Sequence, residues 1–155
     1  MPQNRTLLML ISLACFAMLG AALYLQHYKD LLPCPLCVIQ RYAFLAVAII
    51  SLAAAAAGKP RVWATLALAA ALGGAATVGK HLYVLAHPGL SCGIDPMETF
   101  LNKIPTALYM PWIFKADGLC EDARDTLLGL SIPQWSALGF GIVILALLTV
   151  LARRR

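Results

Sequence analysis

TLLMLISLACFAMLGAALYLQHY, residues 6–28, runs for 23 positions without an Asp, Glu, Lys or Arg. A bilayer core about 30 Å thick needs about 17 to 25 apolar residues of helix, so this stretch predicts a membrane-spanning helix. Three more uncharged runs follow: Tyr42–Gly58 with 17 residues, Val62–Gly79 with 18 and Thr126–Ala152 with 27. In lipid each backbone amide must pair within its own segment, which favours helices. The expected fold is an all-α integral membrane protein, one domain over residues 1–155, built as a four-helix transmembrane bundle. The first run exceeds the roughly 7 to 15 apolar residues of a cleavable signal peptide. It is therefore expected to remain as an anchor.

Composition agrees with that reading. Of 155 residues, 61% are hydrophobic and 12% charged, with 12 Lys plus Arg against 7 Asp plus Glu. A soluble domain carries about a quarter charged residues. An ordinary cytosolic globule, a disordered tail and a nucleic-acid binder are all excluded. The basic residues set the orientation. Arg5, Lys59, Arg61, Arg153, Arg154 and Arg155 collect on one side with no acid, whereas all seven acids fall on the other. Both termini are expected in the cytoplasm, with residues 29–41 and 80–125 facing outward.

Four of the five cysteines then share the outer side: Cys34, Cys37, Cys92 and Cys120. Cys15 lies within the first span and reads as a small buried hydrophobe. Disulfides persist in oxidising compartments such as the periplasm, so two outward pairs point to thiol–disulfide chemistry, structural or catalytic. The first pair sits in Leu32-Pro33-Cys34-Pro35-Leu36-Cys37-Val38-Ile39-Gln40-Arg41. Seventeen residues after Arg41 make only about 26 Å of helix, so the second span must begin near Pro35. Cys37 is then in the first turn, where the helix dipole favours a thiolate. Arg41 follows four residues on, on the same face. Its plain reading is a snorkelling anchor; the functional one is a cation that steadies a thiolate or an anionic acceptor.

The second pair reads equally as a structural staple. Between its members, Asp95-Pro96-Met97-Glu98 has the pattern of an N-cap followed by Pro and Glu. Met97, Phe100, Leu101 and Ile104 continue it as a one-sided apolar stripe. A short amphipathic helix lying on the bilayer is expected in this second periplasmic loop. Tyr109, Trp112, Phe114 and Trp135 suit an interfacial aromatic belt. A soluble loop without contact to the first pair is the alternative. Zinc is disfavoured by spacing, since one C-x2-C with two distant cysteines is not a paired knuckle, and His27, His81 and His87 lack ligand spacing. Lys80-His81 ends the third uncharged run, either as a helix-end cap or beside the chemistry.

Two disulfides can relay oxidation by exchange, but the relay must discard two electrons. No haem or flavin motif is present, which leaves a lipid-soluble quinone near Cys37 and Arg41 as the natural acceptor. The four runs, Cys34-Pro35-Leu36-Cys37 with Arg41, the outward Cys92…Cys120 loop, Phe114-x-x-x-Gly118-x-Cys120 and Ile132-Pro133-Gln134-Trp135 together resemble the disulfide bond formation protein B (DsbB) family. That resemblance covers essentially the whole chain. It implies a membrane protein-disulfide oxidoreductase of the bacterial inner membrane that reoxidises a DsbA-like periplasmic thiol oxidase and passes electrons to ubiquinone, or menaquinone without air. It further implies attack by the partner at Cys92, exchange of Cys120 with Cys34, and electron transfer from Cys37 near Arg41, with His81 close to the quinone. The Pro-Leu interior of the CxxC and the region between Cys92 and Cys120 follow the family only in outline. Two other readings stay open. One is a scaffold or transporter subunit with inert disulfides, although the spans carry no charge. The other is a quinone reductase akin to vitamin K epoxide reductase, whose CxxC belongs to the last core helix rather than opening the second.

Overall fold

A computed structural model describes residues 2–57, 60–87, 89, 94–120, 123 and 126–153. Four long helices form a bundle: α1 (Pro2–Tyr28), α2 (Pro35–Ala56), α3 (Pro60–Ala86) and, last in the chain, α7 (Ile132–Ala152). Each is long and apolar enough to cross a membrane. Between α3 and α7 come α4 (Ile94–Asn102), α5 (Pro105–Tyr109) and α6 (Pro111–Phe114), then a two-strand antiparallel hairpin, β1 (Thr126–Leu127) and β2 (Leu130–Ser131).

Prolines punctuate the helix starts. Pro35, Pro105 and Pro111 each open a helix, where the missing N–H costs nothing. The residue before a proline is pushed off helical geometry, and Ile104 (ψ 137°) and Met110 (ψ 61°) are non-helical accordingly. The connection between α4 and α7 is thus cut into short turns that can fold back.

The long helices close on each other, with α2 against α1 and α3, and α7 against α3 and α1. Their shared core holds Leu8, Ile11, Cys15, Val47, Ala64, Ala71, Val143 and Leu147. Cys15 is a free, buried thiol among apolar side chains, as expected. Small residues bring the helices close. A Cβ on Gly74 would stand 2.3 Å from the Phe140 ring and 2.9 Å from the Ala43 methyl. Phe140 itself stacks on Phe44 with ring centres 4.0 Å apart. Its neighbour Gly73 has open space where a Cβ would stand. Outward, Leu13, Leu52, Leu66, Leu72, Ile142 and Leu145 are exposed, a belt that water would penalise and lipid accepts.

Three boundaries differ from expectation. The third helix continues past Lys80 to Ala86, because one exposed lysine does not interrupt a helix whose other face is packed. The fourth run gives its first six residues to the hairpin, turned at Leu128 (φ 55°) and Gly129 (φ 85°), both left-handed as a tight primed turn requires. Helix α4 starts at Ile94, one residue before Asp95. The apolar stripe of α4 also divides. Leu101, Met97 and Ile104 pack on Val38 of α2 and Phe114, while Phe100 is 68% exposed. Phe114 is likewise no interface anchor: it is buried and stacked on Tyr42, while Tyr109 and Trp112 remain exposed.

The two ends of the bundle differ in chemistry. At one end Arg61 donates to the Arg153 carbonyl at 3.1 Å, joining the start of α3 to the end of α7. Lys59, Arg154 and Arg155 lie outside the described residues. The opposite end carries Cys34, Cys37, Arg41 and His81.

Candidate functional site

Cys34 occupies the N-cap of α2 in extended geometry, followed by Pro35. Its sulfur accepts from the Cys37 amide at 3.3 Å, so Cys34 caps its own helix as Ser or Asp would. Three residues of helix then bring the sulfurs together, with the Cys34 thiol donating to Cys37 Sγ at 3.0 Å. Both are free thiols. Cys34 is 1% exposed, and the bond to Cys37, then burial, pushes its pKa up. Cys37 is half-buried in the first helical turn, at the positive end of the helix dipole.

The loop after α6 is clamped onto this turn. The Pro33 carbonyl accepts from both Asp117 and Gly118 amides at 3.1 Å. Gly118 lies so close that a Cβ there would sit 2.2 Å from the Leu32 carbonyl oxygen. Asn102, ending α4, exchanges two hydrogen bonds with the Ala116 backbone at 2.8 and 2.9 Å. Tyr42 and Thr106 share a further hydroxyl bond. These contacts place Cys120 in one buried cluster with Cys34, Leu36 and Val84, with Met97 packed alongside. Cys120 is disulfide-bonded. Cys92, singled out in the sequence, lies outside the described residues. The loop therefore reaches the first cysteine pair through its protein-facing residues.

His81 stands at the junction. It is wholly buried, with Nε2 3.3 Å from the Cys120 carbonyl and 3.8 Å from Cys34 Sγ. Gln40 Nε2 is 3.3 Å from its Nδ1. With the Gln40 amide donating there, the ring proton sits on Nε2, facing the carbonyl and the sulfur. The other histidines are different: His27 and His87 are exposed and bond only carbonyls one turn back.

Arg41 does not snorkel. It is 6% exposed and bonds Gln26 Oε1 of α1 at 2.6 Å, the Ile113 carbonyl of α6 at 2.6 Å and the Ala22 carbonyl at 3.4 Å. A buried cation needs such partners. These bonds also tie α1, α2 and the loop together.

Beside these groups is a cavity of about 770 Å³ between α1, α2 and α7. Met18, Ala22 and Leu25 form one wall, Ile132 and Trp135 another, and Cys37, Gln40 and Arg41 the third. A lining that is mainly apolar with a few convergent polar groups is that of a small-molecule site, and the volume is in the usual range. Cys37, Gln40 and Arg41 are the lining residues that could hold a flat ring with carbonyl acceptors, and the apolar walls could take a long apolar tail, which is the chemistry of a lipid-soluble quinone. His81 is absent from this lining and touches the CxxC through Cys34 instead. Gln40, Asn102 and Gly118 were not anticipated as site residues. Adjacency to Arg41 could have marked the first, and the last stood in the Phe114-x-x-x-Gly118-x-Cys120 motif.

Comparison with known proteins gives a consistent result. A family model described as disulfide bond formation protein DsbB matches residues 4–150. A disulfide bond formation protein B of Herminiimonas arsenicoxydans is 48% identical, covering 100% of this chain and 99% of the relative. One from Cupriavidus metallidurans is 45% identical, covering 98% and 95%. Another, from Ralstonia nicotianae, is 43% identical, covering 98% and 96%.

Proposed function

The chain belongs to the disulfide bond formation protein DsbB family, and on that premise we propose that it is a quinone-dependent protein dithiol oxidase of the bacterial inner membrane. Its partner is a reduced, thioredoxin-fold thiol oxidase of the DsbA type, met on the periplasmic side. The observation that carries the reading is the apolar cavity that meets Cys37 and Arg41 at the start of α2.

The thiol steps balance as exchanges. A partner thiolate attacks Cys92 of a Cys92–Cys120 disulfide, forming a mixed disulfide and releasing Cys120 as thiolate. Cys120 attacks Cys34 of an oxidised Cys34–Cys37 pair, which frees Cys37 as thiolate. The partner's second thiol closes the partner's own disulfide and releases Cys92, which recaptures Cys120 and frees Cys34. The net result is an oxidised partner and a reduced Cys34/Cys37 pair. Their shared cluster supports direct exchange between Cys120 and Cys34. His81 Nε2–H serves Cys34 as a hydrogen-bond donor when that sulfur leaves. Cys37 is held in the first turn of α2, and Arg41 supplies a fixed positive charge beside the cavity. A quinone bound there supplies the two-electron, two-proton acceptor that the thiols lack; ubiquinone is the proposed species, with menaquinone replacing it without air.

Purified protein given a reduced DsbA-type partner is expected to reduce a soluble ubiquinone analogue. Turnover no greater than that of Cys37→Ser would sink the reading. Cys92→Ala should abolish the covalent complex with the partner while leaving Cys34 and Cys37 able to form a disulfide. A normal yield of complex would reverse the roles given to the two pairs.

A further inference from the structure

We propose that the reduced chain binds one zinc ion through Cys34 Sγ, Cys37 Sγ and His81 Nε2, with the fourth position left without a protein ligand. The donor atoms of these three side chains all lie within 4.8 Å of one another. Two thiolates and one imidazole with an open position make a recognised zinc donor set, with Zn–S about 2.3 Å and Zn–N about 2.0–2.1 Å. Tetrahedral angles then put sulfur and nitrogen about 3.5 Å apart and the sulfurs about 3.8 Å apart. Cys34 Sγ and His81 Nε2 already stand at 3.8 Å. The sulfurs, at 3.0 Å, must separate by less than 1 Å, as zinc replaces the hydrogen bond between them. Cys37 can supply this movement, being half-buried and at the edge of the cavity.

Gln40 completes the site. Zinc on Nε2 moves the ring proton to Nδ1, and a half-turn of the Gln40 amide presents Oε1 to receive it. A ligating histidine that donates its other N–H to a carbonyl is the usual outer-shell arrangement. Charge also closes: in the bound form two thiolates neutralise one Zn²⁺ in a buried position where net charge would be costly.

The site is gated by oxidation state. A Cys34–Cys37 disulfide offers no thiolate, so the oxidised chain lacks it. Zinc is redox-inert. It would therefore lock the reduced pair without consuming electrons, and stop turnover at that stage. This consequence for turnover rests on the proposed function; the binding itself does not.

The test uses Cys15→Ala, Cys92→Ser and Cys120→Ser combined, so that Cys34 and Cys37 are the sole thiols. No partner or quinone is added. Reduced with a phosphine and titrated with Co²⁺, this protein should bind one ion per chain, with tetrahedral ligand-field bands and a sulfur charge-transfer band that Zn²⁺ erases. Zinc binding should be accompanied by proton release from the reduced form only. The oxidised form should show no bands. His81→Ala should weaken binding at least 100-fold, and Gln40→Leu about 10-fold. His81→Gln, closer in volume, guards against a variant that fails to fold. Cobalt affinity in both histidine variants equal to that with His81 in place, binding to the oxidised form, or no cobalt bands would each overturn the proposal. Because the readout is spectroscopic, loss of quinone reduction leaves it standing. Its failure likewise leaves the oxidase reading intact.

Discussion

Cys34 carries two local duties, capping α2 with its sulfur and donating its proton to Cys37. Its pKa is pushed up by that bond and by burial, so its thiolate forms only at pH above the ordinary thiol range. In the reduced protein, Cys34 should alkylate more slowly than an exposed cysteine at pH 8.5. Cys37→Ala, which removes the acceptor, should speed it. Peptide mapping after timed alkylation measures both, and an unchanged rate in the variant would refute the coupling. Gly118 is the second residue whose role is set by contact. Alanine there would drive a methyl into the Leu32 carbonyl, against backbone that cannot yield cheaply. The variant should lose about 1–3 kcal/mol of stability, read as a lower unfolding temperature in detergent, together with faster proteolysis of residues 115–120.

At the scale of elements, helix approach depends on small residues used one at a time. Of the neighbouring glycines in α3, only Gly74 faces α7, where Phe140 fills the space beside it. Gly74→Ala should cost about 1–3 kcal/mol by overpacking, whereas Gly73→Ala, with nothing near it, should leave thermal unfolding unchanged. Equal effects would mean that α3 is rotated from the position described. The segment between α3 and α7 follows a different logic. Two prolines, Pro105 and Pro111, each with a non-helical residue before it, break it into short helices, and Asn102 fastens the end of α4 to Ala116. Asn102→Ala should loosen this clamp and raise amide exchange at residues 116–118 while sparing the four long helices.

For the whole molecule, the asymmetry between the two ends of the bundle is the main feature. One end joins α3 to α7 through Arg61 and Arg153; the other gathers the thiols, Arg41 and His81. If the basic end faces the cytoplasm, alkaline phosphatase fused after Arg155 should be inactive and the same enzyme inserted between Leu128 and Gly129 active. The reverse pattern would invert the proposed topology. The Leu128 insertion site is chosen because that side chain is 87% exposed at the hairpin tip.

Four spans, the start of α2 at Pro35 and the free burial of Cys15 were legible from the chain because they depend on local properties: run length, proline geometry and the cost of unpaired amides in lipid. The CxxC spacing was equally local. Tertiary contact alone decided the rest. It turned Leu101 and Phe114 into the protein although their pattern suited a membrane surface, since α4 to α6 found an apolar face on α2 to cover. Contact across the bundle also buried Arg41 under two carbonyls and a glutamine, and set His81 between Cys34 and Cys120, partnered by Gln40. No periodicity encodes such meetings. Residues 40, 81 and 120 are far apart in the chain, and their chemistry arises only where packing removes water and leaves them one another as partners.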